Sequence, residues 1–354
     1  MSQKERVELL YQYIKNNILV LDGAYGVLLQ SEKLTEKDYQ GERFKGHSQP
    51  LQNNVDVLNI TQPEIVAKLH SEYLDAGADI ITTNTFSSTS VSQADFNLEK
   101  ESYALNLAGA QIAREEADRW TQENPNKPRW VAGSLGPTNK TTSVAIDLND
   151  PSIRAIEFDA LKDSYSIAIQ GLYDGGIDIL LVETIFDTLN AKAAILAADE
   201  FCQRNRVVLP LILSWTATDL SGRNLSGQTI EAFWISIKHA NPFAVGLNCS
   251  FGARELRESV RNLANIADVP IIAYPNAGLP NALGEFDETA NITASYLHEW
   301  TKNRLVNIVG GCCGTTPEHI QQICERIKSE MPREIPQYNK NLQLAGIDKF
   351  EIIN

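Results

Sequence analysis

The stretch Thr61-Gln62-Pro63-Glu64-Ile65-Val66-Ala67-Lys68-Leu69-His70-Ser71-Glu72-Tyr73-Leu74-Asp75-Ala76-Gly77-Ala78-Asp79-Ile80-Ile81-Thr82-Thr83-Asn84 holds one complete structural unit. Thr61, Pro63 and Glu64 form a helix start, with a hydroxyl cap, an early proline and an acid in the first turn. Asp75-Ala76-Gly77 stops that helix. Residues 79–83 are then an apolar, β-branched run with the character of a strand buried on both faces. Asn84 stands at the end of that strand, where side chains become free to face a site.

The same unit recurs along the chain. Apolar runs at 18–21, 79–83, 130–134, 177–182, 209–215, 243–247, 270–273 and 306–309 are each followed by a helix-period segment. Eight such strands with helices between them predict an α/β (β/α)₈ TIM barrel. The competing arrangement is a doubly wound open sheet, which carries a glycine-rich phosphate fingerprint after its first strand. Asp22-Gly23-Ala24-Tyr25-Gly26-Val27 lacks the third glycine and the later acid of that fingerprint. Residues 31–60 form a long polar connection between the first two strands. Residues 1–330 are therefore expected to form the barrel, and residues 331–354 a tail or linker.

Composition narrows the function. Lys and Arg total 31 against 45 Asp and Glu, a net charge of -14, and no basic stripe is present, so a nucleic-acid surface is not expected. The charged start Met1-Ser2-Gln3-Lys4-Glu5-Arg6 has no secretion-signal core, and no apolar run is long enough to span a bilayer. These features predict a cytoplasmic protein with no membrane partner. The five cysteines are an odd number without framework spacing, which favours metal or catalytic use over disulfides. Cys202 and Cys324 fall in helix-like stretches and read as packed cysteines.

The active site of an eightfold barrel lies at the carboxyl ends of its strands. The polar residues expected there are Asp22, Asn84, Glu183 with Thr184, Asn248 with Cys249, Asn276, and Cys312 with Cys313. The sixth and eighth strands flank the seventh, so Cys249 is expected to approach the Cys312-Cys313 pair. Three thiolates suit Zn²⁺ with a fourth position left open for chemistry. Gly310, Gly311 and Gly314 let the backbone turn both adjacent sulfurs toward one ion. None of His47, His70, His239, His298 and His319 falls at a predicted strand end. Asp22 and Glu183 at a common mouth suit the ammonium of an amino acid, and backbone N–H groups of the Asp22-Gly23 turn suit its carboxylate.

With these residues in place, the chain resembles the homocysteine S-methyltransferase family, most nearly the amino-terminal homocysteine-binding module of cobalamin-dependent methionine synthase. The resemblance spans roughly residues 8–330. It is carried by Leu21-Asp22-Gly23-Ala24, Gly41-Glu42-Arg43-Phe44, residues 76–86, Leu135-Gly136-Pro137-Thr138-Asn139, Val182-Glu183-Thr184, residues 186–192, Leu225-Ser226-Gly227-Gln228-Thr229, residues 275–280 and the double-cysteine segment. Val27 departs from the threonine common in the family.

The resemblance implies a zinc-bearing barrel with Cys249, Cys312 and Cys313 as ligands. It also implies that Asp22, Gly23 and Glu183 hold the amino-acid end of homocysteine, and that Asn276 supplies oxygen near the metal when substrate is absent. The methyl donor it implies is methylcobalamin on a partner module, with S-methylmethionine or betaine as alternative donors used by relatives. A non-catalytic zinc- or thiol-binding module is the reading from another class. The segment Leu342-Gln343-Leu344-Ala345-Gly346-Ile347 is similar to the lead-in to a folate-binding module, so cobalamin and folate modules are expected partners, in cis or on separate chains.

Overall fold

The computed structural model describes residues 1–281, 284–336 and 341–352. Eight parallel strands form one sheet: β1 (Leu19–Val20), β2 (Ile80–Thr82), β3 (Trp130–Leu135), β4 (Ile179–Ile185), β5 (Leu211–Trp215), β6 (Ala244–Gly252), β7 (Ile271–Asn276) and β8 (Ile308–Val309). Their order, β1-β8-β7-β6-β5-β4-β3-β2, runs around a ring. The ends meet at a parallel bridge between Leu21 and Ile80, flanked by Asp22 N–H to the Ile80 carbonyl at 3.0 Å and Asp79 N–H to the Val20 carbonyl at 2.7 Å. The expected TIM barrel is present, with each strand inside or within two residues of its predicted start.

The longer helices are α1 (Gln3–Tyr13), α2 (Pro63–Asp75), α3 (Ser102–Glu123), α4 (Phe158–Asp174), α5 (Thr188–Asn205), α6 (Ile230–Ile237), α7 (Ala253–Ala264), α8 (Ala290–Lys302) and α9 (Pro317–Ile327). From α2 onward, one such helix follows each strand. Pro63 occupies the first turn of α2 as expected, but Thr61 does not cap it: Gln62 holds that position, and the Thr61 hydroxyl bonds the Val57 carbonyl at 3.2 Å. The short helix before Pro63 captures the threonine. Thr316 does cap α9, in a reciprocal capping box with His319.

Strand alternation divides the core in two. One set, including Leu19, Leu21, Ile80, Ala132, Ile179, Leu181, Ile212, Ile272, Tyr274 and Ile308, clusters with Leu10 and Ile14 from α1 and its cap, so α1 plugs the amino-terminal end of the ring. The larger set joins the strands to the surrounding helices. Asp178 anchors the plug. It receives Arg6 at 2.6 Å, Arg114 at 2.7 Å and the Val131 N–H at 2.9 Å.

The insertion at 31–60 is a packed surface loop with short helical turns, and it buries Tyr39, Phe44, Leu51, Val57 and Leu58. Past the expected boundary at 330, Arg333 remains buried and donates to the Ala264, Ala267 and Val269 carbonyls. Of the segment expected to be a tail, residues 337–340 and 353–354 lie outside the described residues. The part at 341–352 is a hairpin of β9 (Leu342–Ala345) and β10 (Lys349–Ile352). It docks on the barrel through Arg223 to Asp348 at 2.8 Å and Thr229 N–H to the Ile347 carbonyl at 3.0 Å. Among the described residues, no helix is long and apolar enough to cross a membrane.

Candidate metal centre and substrate cavity

Two strands end irregularly. The pairing register shifts between Val182 and Ile185 on β4 and between Asn248 and Gly252 on β6. Thr184, Cys249 and Ser250 all take left-handed backbone conformations, with φ of 55°, 63° and 60°. Such bulges re-aim side chains that a regular strand would send to opposite faces. Asn248 locks the two bulges together: its Oδ1 accepts the Thr184 N–H at 3.0 Å, and its Nδ2 donates to Thr184 Oγ1 at 2.9 Å.

The Cys249, Cys312 and Cys313 sulfurs lie within 4.8 Å of one another, with Cys249 and Cys313 at 4.0 Å. Three sulfurs on one tetrahedral ion with Zn–S bonds of ~2.3 Å stand ~3.8 Å apart, so this cluster could hold one metal ion. Without a cation the thiols compete. Hydrogen bonds from Cys312 and Cys313 hold the Cys249 thiol well below its usual range, and the resulting anion pushes Cys312 and Cys313 up. A divalent cation resolves that conflict by accepting all three as thiolates.

The double-cysteine loop is tied to the loop after β1. Gly311 N–H donates to the Asp22 carbonyl at 3.1 Å, and Ala24 N–H to the Thr315 carbonyl at 3.1 Å. The Tyr73 hydroxyl lies 2.7 Å from the Ala24 carbonyl and 2.9 Å from that of Thr315. A Cβ on Gly23 would stand 2.8 Å from both the Thr315 carbonyl and the Tyr73 hydroxyl, so this close approach requires glycine.

Beside the sulfurs is a cavity of ≈ 260 Å³, lined by Asp22, Gly23, Tyr25, Asn84, Glu183 and all three cysteines, among others. Its size suits a small molecule. Asp22 is buried, and its carboxylate accepts Tyr25 Oη at 2.6 Å and the Thr82 N–H at 2.6 Å. Burial pushes its carboxyl up to about 8 despite those hydrogen bonds. Glu183 accepts the Ser134 hydroxyl at 2.5 Å and Tyr274 Oη at 3.1 Å, and burial pushes it up to about 7. Two buried carboxyls with raised affinity for protons suit a cationic ligand that would displace those protons.

The asparagines sit differently. Asn84 reaches the cavity wall, but its Nδ2 is engaged by the Val55 carbonyl at 2.8 Å and Asn59 Oδ1 at 3.2 Å. Asn248 is fully buried against Thr184, Ser214 and Cys312, the last at 3.8 Å. Asn276 Oδ1 accepts the Cys313 N–H at 3.2 Å. Neither Asn248 nor Asn276 is among the residues that line the cavity. The Asp22 N–H, expected to serve a substrate carboxylate, is spent on closing the barrel against Ile80. Cys202 and Cys324 pack against the core from α5 and α9, as read from sequence.

Several site residues escape sequence reasoning. Tyr25, Thr82, Ser134, Tyr274 and His70 form the surroundings of the two carboxylates, and Asp56 arrives on the 31–60 insertion. His70 had a usable signal: it shares the buried face of α2 with Val66, Leu69, Tyr73 and Leu74. Asp56 is buried, accepting the Ser88 hydroxyl at 2.6 Å and the Ser87 N–H at 3.0 Å, and burial pushes it up to about 6.

A (β/α)₈ barrel that gathers three thiols and two buried carboxyls at the carboxyl ends of its strands has the layout of a barrel enzyme, with a cysteine cluster that could hold a metal ion beside a cavity of small-molecule size. The sequence profile of homocysteine S-methyltransferase matches residues 19–327, and the chain belongs to that family. Among solved structures, the homocysteine methyltransferase MmuM of Escherichia coli is similar in fold. Its oxidized form matches with a TM-score of 0.70 at 22% identity, covering 90% of this chain and 98% of that one. The metallated form gives 0.67 at 23% identity over the same shares, and the apo form 0.61 at 21%, covering 88% and 96%.

Proposed function

We propose that this chain transfers a methyl group to the thiolate of homocysteine, giving methionine, with Zn²⁺ held by Cys249, Cys312 and Cys313. The observation that carries this reading is the convergence of those three sulfurs beside a cavity walled by Asp22 and Glu183. Bound Zn²⁺ would act as a Lewis acid with one open position, keeping a substrate thiol ionised where a free thiol of pKa ~8.5 is mostly protonated.

The chain's own residues do the rest. Asp22 and Glu183 take the ammonium of homocysteine, each giving up the proton that burial makes it hold. Gly23, on the cavity wall, offers its backbone to the substrate carboxylate. Asn248 and Asn276 act indirectly, by hydrogen bonds that orient Cys312 and Cys313, and Asn84 shapes the wall through Val55 and Asn59. Fixing both ends of the substrate confines its sulfur beside the cysteines, which supplies the positioning that ionisation alone does not.

Methylcobalamin on a cobalamin-bearing module is the proposed donor, with residues 1–330 as the homocysteine-binding barrel and 331–354 leading toward a folate-binding module. Val27 and Phe86, exposed and lining the cavity beside the segments after β1 and β2, support it, since an apolar edge at the cavity mouth suits coverage by a partner. The free thiols fit a reducing cytoplasmic setting. The test supplies the purified zinc-loaded chain with homocysteine and, separately, methylcobalamin, S-methylmethionine or betaine. Methionine from methylcobalamin supports the full proposal, and methionine from another donor alone overturns the donor assignment. Zinc binding without methionine from any donor would mark a non-catalytic module.

A further inference from the structure

Tyr25 Oη stands between two buried groups, 2.6 Å from Asp22 Oδ2 and 2.7 Å from His70 Nδ1. A phenol has one proton, so it donates to only one of them, and the other contact needs a proton from the far side. Two arrangements satisfy both contacts. In the first, His70 carries its proton on Nδ1 and donates to the Tyr25 oxygen, while Tyr25 donates to an ionised Asp22. In the second, a protonated Asp22 donates to Tyr25, Tyr25 donates to His70 Nδ1, and the histidine proton sits on Nε2.

The surroundings of Nε2 separate the two. His70 is fully buried, and its Nε2 has no hydrogen-bond partner among the described residues. The first arrangement leaves a bare lone pair there, the second an orphaned N–H. Unpaired buried N–H groups are the rarer of the two defects. Burial also pushes the imidazole down to about 3, so His70 is neutral and adds no charge that a salt bridge could explain. The ring stays fixed against Tyr25 at a centroid distance of 5.0 Å, and Tyr73 braces Tyr25 at 5.6 Å.

We propose that Tyr25 and His70 are positioning residues: with the substrate amine bound, neutral His70 donates its Nδ1 proton to Tyr25, which commits the Tyr25 proton to Asp22 and holds that carboxylate as the anion that faces the ammonium. The inference rests on Asp22 receiving the homocysteine ammonium. It makes the relay a determinant of specificity for amino thiols over plain thiols.

The experiment has two parts, both on the full zinc-loaded chain. With ¹⁵N-labelled histidine, nitrogen NMR of the homocysteine-bound protein reads the tautomer of His70; Nδ1–H is expected, and Nε2–H overturns the proposal. Kinetics then compare homocysteine with mercaptobutanoate, the same thiol acid without the amine. Tyr25→Phe should raise KM for homocysteine about tenfold or more while moving KM for mercaptobutanoate less than about twofold. His70→Asn, whose amide nitrogen reaches the Nδ1 position, should stay near wild type, and His70→Leu should follow Tyr25→Phe.

Equal losses on both thiols would reduce Tyr25 and His70 to packing and overturn the proposal. If the variants fail to fold, the tautomer measured in the wild-type protein decides. A wild-type enzyme that does not prefer homocysteine over mercaptobutanoate would instead sink the assignment of Asp22 to the ammonium, whatever the tautomer.

Discussion

Homocysteine affinity should rise steeply with pH, and the two buried carboxyls set the slope. Asp22 is pushed up to about 8 and Glu183 to about 7, both mainly by burial. An ammonium binds their ionised forms, so at low pH each must first lose a proton, and the cost of that loss weakens binding. At about pH 6 the penalty is a factor of about 100 for Asp22 and about 10 for Glu183; at about pH 8 it falls to about 2 and about 1. Between those values the affinity should therefore rise about 500-fold from the carboxyls alone. The substrate thiol also releases a proton, which adds to the raw slope. Dividing by the affinity for mercaptobutanoate, which shares the thiol and lacks the amine, cancels that part. Titration calorimetry in buffers of different ionisation enthalpy would count the released protons directly. A homocysteine-to-mercaptobutanoate ratio that stays flat across this range would refute the reasoning, because it would mean that neither carboxyl meets the ammonium.

Glu183→Gln should trade binding for stability. The folded carboxyl is raised from 4.5 to about 7, so its contribution to the fold belongs to the neutral form, is complete below its unfolded value and is lost as pH rises through the folded one. At about pH 8 the metal-free variant should exceed wild type by up to ~3 kcal/mol in thermal or urea unfolding while losing affinity for homocysteine; a variant less stable at that pH would contradict the burial penalty. Cys249→Ala leaves two of the three sulfurs, so zinc stoichiometry should fall and turnover drop by at least about a hundredfold, as checked by metal analysis and methionine formation. Gly311→Ala would place a Cβ 2.1 Å from Thr315 Oγ1 and 2.2 Å from its Cγ2, with every cysteine still present. Displacing that loop should cost about 1–3 kcal/mol in unfolding free energy and weaken zinc retention.

The barrel was legible because strands buried on both faces read as continuous apolar runs, and several of them, at 18–21, 79–83, 177–182 and 243–247, stop at a polar residue. That rule located Asp22, Glu183, Cys249 and the Cys312-Cys313 pair, which the structure gathers around one cavity. It treated Asn84, Asn248 and Asn276 alike, because position along a strand does not say whether an amide faces the cavity or spends its hydrogen bonds on neighbouring backbone. It missed His70 and Asp56 for a different reason. His70 reaches Tyr25, and through it Asp22, from a helix in the outer ring, and Asp56 comes from the insertion, so neither position follows from strand ends. The hairpin at 341–352 reads as tail because the sequence from Met331 onward carries Pro, Asn and Gln, and its two strands of four residues each, with Leu342, Leu344, Phe350 and Ile352 exposed, are too short to stand out from it.

The backbone around Cys249 explains why the sulfurs converge at all. In an extended strand Asn248 and Cys249 point to opposite faces, so a strand carrying Asn248 inward would bury the cysteine against the helices. Left-handed conformations at Cys249 and Ser250 break that alternation, letting Asn248 hold Thr184 and Cys312 while Cys249 approaches Cys313. Each such residue costs on the order of 1–2 kcal/mol in a non-glycine side chain. Thr184 adds a third on the facing bulge, and the Asn248 amide bonds across to it from both ends. The strain is thus concentrated where three thiols are brought within reach of one ion, and the fully buried Asn248 is the residue that keeps it from relaxing. Glycine at 249 would relieve the backbone but remove a sulfur, so the chemistry of the site and the conformation that serves it make opposite demands on the same position.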